Sequence, residues 1–305
     1  MNKTFLPWCA MIYMGCMWGA SFSLGKLATN YGGAPLGISF WSAFFSGGFL
    51  WLYCMLTSRR FVLTWALIKT LCILGLLGSA LPGLLFYYAA SKVPAGVLSI
   101  TVTLVPIFTY ALALLVGIER FSKLRFLGLI LGLTSICVIV LPETSLPTKS
   151  AAIWVLFACL SSFFYACENI YLGVAKLDDI GPLRLSCGMG FASAAFLFIP
   201  ALFTGALSQT LSTSIELTLT VFGLGLIGAT AYACFIYTVR VSGPIFASQV
   251  GYLVTICGIV WGIVIFGEAH SAWIWAAFVL MMLGLLCVSP RETSPDYRNS
   301  SFERS

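Results

Sequence analysis

Two stretches of this chain end alike: "LLVGIERFSK", residues 114–123, and "VIFGEAHSAW", residues 264–273. Each closes a long apolar run with a glycine and a glutamate, at Gly117/Glu119 and at Gly267/Glu268. The two glutamates lie 149 positions apart (268 − 119) in a chain of 305 residues. A shared ending half a chain apart points to an internal repeat, and its meaning depends on the medium the apolar runs occupy.

Composition answers that. The chain is 60% hydrophobic and 9% charged, with a mean hydropathy of +1.01. Soluble domains carry about 25% charged residues, so this one has too few to cover a surface facing water. Ten apolar runs stand out: 7–25, 36–57, 70–90, 94–117, 124–142, 151–174, 183–205, 217–238, 244–266 and 271–289. Each approaches or exceeds the roughly 20 residues that a helix needs to cross a bilayer. None alternates with period two as a barrel strand would. Backbone groups in lipid must bond internally, so the runs read as helices. The expectation is an all-α integral membrane protein with ten transmembrane helices. The opening "MNKTFLPWCAMIYMGCMWGAS" resembles a signal peptide, but its counterpart in the second half makes it the first span.

Charge placement orients the chain. With ten spans and a cytoplasmic N-terminus, the cytoplasmic side holds Lys3, Arg59, Arg60, Lys69, Arg120, Lys123, Arg125, Lys176, Arg184, Arg240, Arg291, Arg298 and Arg304. The far side holds only Lys26, Lys92 and Lys149. Basic residues accumulate in short cytoplasmic loops, so the net charge of +6 is a topology signal and implies no nucleic-acid partner. A multi-pass protein with both termini cytoplasmic follows, and a bacterial inner membrane is its expected location. The eleven cysteines nearly all fall inside apolar runs without a CxxC pair. With a single histidine, His270, there is no metal-ligand spacing. No cofactor is expected.

The repeat extends beyond the two corners. "KVPAGVLSITVTLVPIFTYALALLVGIER" from Lys92 resembles "RVSGPIFASQVGYLVTICGIVWGIVIFGEA" from Arg240 in its basic residue, Pro/Gly break, apolar helix and terminal Gly-Glu. Trp18-Gly19 and Lys26-Leu27 stand opposite Glu168-Asn169 and Lys176-Leu177. The expected organisation is a five-helix unit over 7–142, a second over 151–289 and a cytoplasmic tail over 290–305. Five is odd, so the second unit enters the membrane inverted. Inverted repeats are characteristic of secondary transporters, whose halves rock around a midplane site.

"WGASFSLGKLA", "FYYAASKVPAG", "VPIFTYALALLVGIERFSKLRFLGLILG" and "GYLVTICGIVWGIVIFGE" together resemble the EamA family of the drug/metabolite transporter superfamily, as two tandem units. The resemblance implies a ten-helix inverted-repeat fold and a cavity lined by helices 1, 3, 4, 6, 8 and 9, with helices 5 and 10 peripheral. It also implies transport, usually export, of amino acids, other metabolites or toxic compounds. The sequence departs from the pattern at Thr255, which stands opposite Pro106, and in the second helix, "GISFWSAFFSGG", which has no arginine.

Glu168 is the one carboxylate well inside an apolar run. Intramembrane ionisable residues cost roughly 2.5–3.5 kcal/mol on translocon scales and mark function by default. It is the candidate for proton coupling or for meeting a cationic group; the bland alternative is snorkelling or pairing with Lys176. Pro106 removes the donor to the Val102 carbonyl, a break near midspan. Thr255, Gln249 and Tyr252 share the ninth helix and add polar groups. Trp18, Tyr88 and Tyr232 are the aromatic candidates for the cavity wall. These eight residues form the expected substrate site. Gly15/Gly19, Gly128/Gly132 and Gly258/Gly262 are small-residue pairs for close helix approach, with a homodimer as another use for such a stripe. Glu119 and Glu268 are expected to accept hydrogen bonds from nearby backbone, and Lys26 to snorkel or to attract an anion.

The expected partners are therefore a small-molecule substrate and the lipid bilayer. Two other classes fit less well. A membrane-embedded enzyme needs clustered acid, base or nucleophile groups at one depth, and none is visible. A non-transporting sensor or assembly protein gives no reason for an inverted duplication.

Overall fold

The computed structural model describes residues 5–57, 64–117, 119–141, 146, 148, 150–175, 180–248 and 250–288. All regular structure among them is helical. The elements are α1 (Phe5–Asn30), α2 (Pro35–Leu56), α3 (Trp65–Gly75), a π turn (Leu76–Ala80), α4 (Leu81–Ala90), α5 (Ala95–Val102) and α6 (Leu104–Leu115). They continue with α7 (Lys123–Val140), α8 (Ala151–Val174), α9 (Pro182–Phe203), α10 (Ala206–Ser212), α11 (Ile215–Ser248), α12 (Val250–Phe266) and α13 (Ala272–Val288).

Seven stretches among the described residues are long and apolar enough to cross a membrane, including Trp65–Ala90 and Ala95–Leu115, each counted as one span; α12 and α13 are shorter apolar helices. Large apolar side chains cover the outside, with Leu115 83% and Phe203 85% exposed. In water such a surface is an aggregation liability; around a helical bundle of this hydropathy it is the face that lipid wets. The chain is a multi-pass membrane protein.

The punctuation residues act where the sequence puts them. Pro35 and Pro182 open α2 and α9 in the first turn, where a missing N–H costs nothing. Gly117 and Gly267 adopt left-handed φ of 77° and 62°. There they cap α6 and α12, donating to Leu114 O at 3.2 Å and Ile263 O at 2.9 Å. That conformation is cheap only for glycine, so the two corners of the opening stretches are the same helix stop. Pro106 interrupts its helix as expected. The break falls at Thr103, whose N–H reaches back to Ile100 O at 3.1 Å, a tighter i→i+3 bond.

Two features differ from the sequence reading. The Pro/Gly break expected near Pro244 is helical, and α11 continues to Ser248; a helix keeps its backbone groups satisfied without water, which a loop there would not. The connector after α9 folds into the short α10, fixed to its neighbours by Trp41 Nε1 donating to Leu207 O at 3.0 Å and Gln209 Nε2 donating to Gly32 O at 3.2 Å.

Packing uses the small residues. α1 lies against α11 and α12, α2 against α9 and α11, α8 against α4 and α6, and α7 against α13. A Cβ on Gly19 would stand 2.6 Å from Cys257 Cβ and 2.9 Å from Gly258 N. The α1–α12 crossing is thus close to backbone contact, and Gly19 is required there. Gly128 meets the Gly284 carbonyl and makes the same approach possible between α7 and α13. All eleven cysteines are free thiols, consistent with their reading as packing residues.

Candidate functional site

A cavity of about 600 Å³ lies between the helices. One face of α8 forms its floor: Ser161, Tyr165, Glu168, Asn169 and Leu172 recur at helical spacing and all line it. Glu168 is 3% exposed, turned into the bundle and away from lipid. The Tyr232 hydroxyl donates to its Oε1. Glu168 makes no other hydrogen bond or ion pair to the described residues. Its place against the third span depends on Gly78 in the π turn, because a Cβ there would occupy the position of the carboxyl group. Pro82, early in α4, has no N–H to give Gly78 O, which favours the local widening to a π turn.

The same helix fixes the two irregular spans. Ser161 Oγ donates to Pro82 O at 2.9 Å, and Ser162 Oγ to Thr101 O at 2.9 Å. Adjacent serines thus tie α8 to a carbonyl in each of the two proline-bearing segments. The walls are aromatic. Trp18 lies 5.6 Å from Phe235 and Phe22 lies 5.2 Å from Phe86, between ring centroids. Ser39, Ser42 and Ser46 project from α2 on one helical face into the cavity, and the Ser39 hydroxyl is buried without a hydrogen-bond partner among the described residues.

The two Gly-Glu corners lie at opposite ends of the span Ala95–Leu115, about 30 Å apart at 1.5 Å per residue. One corner belongs to the cavity's mouth. Glu119 and Arg125 line the cavity and pair at 2.9 Å, with side chains 45% and 20% exposed. Arg125 also sits 5.5 Å above the Tyr110 ring, whose hydroxyl accepts from Ser122 N at 2.9 Å. The other corner is closed. Glu268, its side chain 8% exposed, accepts from Lys26 Nζ at 2.9 Å, Ala95 N at 2.7 Å and Gly96 N at 3.0 Å. It therefore ties the end of α1 and the start of α5 to the α12–α13 loop. Burial alone would raise its pKa, but the Gly96 N–H, Lys26 and the Ala95 N–H together hold it below the ordinary carboxylate value. Gly262 leaves room for this carboxylate. His270 Nε2 stands 3.6 Å from Glu268 Oε2. Burial lowers its pKa, Glu268 opposes this, and Lys26 adds to the lowering.

Of the residues expected at the site, Trp18, Pro106, Glu168 and Tyr232 line the cavity, and Gln249 lies outside the described residues. Three others do not line it. Tyr88 turns away and stacks on Trp154 at 6.5 Å, since its neighbour Tyr87 takes the inward position and consecutive helical residues point about 100° apart. Thr255 is fully buried and donates to Ser99 O at 3.2 Å and Gly251 O at 2.9 Å; its face of α12 packs on α5. Tyr252 is on the same helix, of which Val250, Gly251 and Val254 reach the cavity. The lining also includes α2 and α9, beyond the helices implied by the family resemblance, and the two helices expected to be peripheral each contribute a residue, Arg125 of α7 and Val288 of α13. The serine stripe at 39, 42 and 46 was the readable signal for α2; nothing in the sequence distinguishes Gly78 from other glycines. The backbone bonds expected of Glu268 are present, and Lys26 pairs with that glutamate.

A helical membrane protein with an enclosed polar spot on an aromatic-walled cavity, closed at one end and reaching the other, has the anatomy of a carrier. The EamA-like transporter family matches the chain twice, over residues 6–141 and 152–289, and the chain belongs to that family, whose members are transporters. No curated protein matches it. Among solved structures, one described as "Crystal structure of protein" is 15% identical, with 95% of this chain and 99% of that one covered and a TM-score of 0.61. At that identity the likeness is one of fold.

Proposed function

We propose that this chain is a secondary transporter that exports a small solute by alternating access. The units 7–142 and 151–289 would form two inverted five-helix repeats, ten spans in all, in a bacterial inner membrane with cytoplasmic termini. The observation that carries the reading is the cavity: it reaches one end of the bundle at Glu119 and Arg125, while Glu268 joins three elements at the other. In the orientation drawn from the basic residues, this is a cavity facing the cytoplasm with its outer end closed. A carrier needs such a state and its converse, and the repeated Gly-Glu corner offers a matching place for the second closure.

Glu168 is the proposed coupling group, the carboxyl that can load and release a proton within the cavity. The deciding experiment is an untargeted comparison of small molecules in cells and medium, with and without the protein, followed by flux of each candidate in proteoliposomes. A solute that leaves the cell only with the protein, and crosses the reconstituted bilayer, supports export. Accumulation inside the cell overturns the direction. Flux equal to empty liposomes for every compound that changed overturns the transporter reading in favour of a sensor or assembly protein.

A further inference from the structure

We propose that the cavity selects organic cations: a protonated amine or guanidine on an apolar or aromatic body. This rests on reading the cavity as the transport site and specifies what it takes. The first observation is the charge pattern of the wall. Among the described lining residues, the formally charged ones are Glu119, Arg125 and Glu168. Glu119 and Arg125 neutralise each other at the mouth, which leaves Glu168 as the charge facing the interior.

The second observation is how little of that carboxylate is used. A carboxylate offers about four lone-pair sites; this one accepts from the Tyr232 hydroxyl and from no other described residue. Its opposite partner is thus to come from the solute. A charged donor is the natural partner, since charge-assisted bonds are roughly twice as strong as neutral ones. On the same cavity wall, Phe235 lies 6.1 Å from the Tyr232 ring and Trp18 packs beside it, aromatic groups that suit a cation and its apolar body alike. The Ser39 hydroxyl, 3% exposed and without a partner among the described residues, is a further polar contact on the α2 wall. The volume lies within the range of ordinary small-molecule sites.

The same pattern excludes other classes. A carboxylate or phosphate solute would meet Glu168, and among the described lining residues the one cation, Arg125, is held by Glu119. A zwitterionic amino acid would satisfy Glu168 but leave its own carboxylate unpaired, which is costly in a buried site.

The test is equilibrium dialysis of the full-length protein in lipid nanodiscs against four probes of one shape: 2-phenylethylamine, 2-phenylethanol, 3-phenylpropanoate and phenylalanine. The amine is expected to bind at least about tenfold more tightly than each of the others, a difference of about 1.4 kcal/mol. Glu168→Gln is expected to remove that preference. Equal or tighter binding of the alcohol, the acid or phenylalanine overturns the cation class, as does no binding of the amine. A preference that survives Glu168→Gln overturns the role of this carboxylate. If that variant does not fold, the ranking in the unmodified protein decides the class. Reconstituted flux is scored separately: amine binding without flux of any solute would sink the transporter reading and leave the cation site standing.

Discussion

At the scale of single residues, the proposed site turns on one contact between two helices. Glu168 can lie against the third span because Gly78 has no side chain there, and the Tyr232 hydroxyl holds one of its oxygens. Gly78→Ala is expected to push the carboxyl aside and cut flux by about tenfold or more, the scale of losing one charged contact, with folded yield retained. Size-exclusion profiles beside proteoliposome flux check this; an active Gly78→Ala protein would mean that Glu168 has room to move. Glu168→Gln is expected to abolish the dependence of flux on a pH gradient, and unchanged dependence would end the coupling scheme. Glu168 was legible in the sequence, because a carboxylate in an apolar run is costly wherever it points. Its direction was not, since snorkelling and turning inward are the same string of letters.

Irregular helices are the features that matter at the scale of elements. The fourth span is broken at Thr103 ahead of Pro106, and the third widens into a π turn ahead of Pro82. Ser162 and Ser161 of α8 bond to carbonyls of the two. Ser162→Ala is expected to lower stability by about 1 kcal/mol, the usual net worth of one hydrogen bond. A thermal shift in detergent of a few degrees downward checks it. The proline break could be read from Pro106 alone, since the missing N–H is a local property. That Ser162 would donate to Thr101 O beside the break could not, because 61 residues separate the two. Thr255 illustrates the converse: it was expected to offer its hydroxyl to the cavity, but α12 turns that face to Ser99 on α5.

Over the whole molecule, the closed end is an ionic latch. Glu268 holds Lys26 and the first N–H groups of α5, and His270 stands beside it. Glu268→Gln is expected to weaken that end and raise the labelling of a cysteine placed at Ser39 by an impermeant thiol reagent from the far side, in a background without the native cysteines. Labelling unchanged from the parent would show that the latch does not set access. Acid should act in the same direction. Both groups have folded-state pKa values below their ordinary ones, so each contributes fully above the ordinary value and loses that contribution as pH falls through its own. His270 responds first, below its usual 6.5, by adding a cation beside Lys26. Glu268 follows, below its usual 4.5. Labelling is therefore expected to rise in two stages on acidification, with the upper stage absent in His270→Gln; a flat profile would exclude the histidine.

The sequence by itself determined the medium, the helical class and the two glycine corners where helices stop, but not the segment at Pro244, through which α11 continues. Those depend on composition and on the local chemistry of proline and glycine, which neighbours in space do not change. The repeated Gly-Glu corner belongs here too: Gly117 and Gly267 cap their helices in the same left-handed way. Only the tertiary structure decided that the two glutamates do different work, one exposed beside Arg125 at the mouth and the other buried under Lys26 and the start of α5. It alone also decided which faces of α2, α8 and α12 meet the cavity. In lipid nearly every face of a span is apolar, so hydrophobic patterning loses its power to separate inside from outside, and helix rotation is left to packing between distant segments.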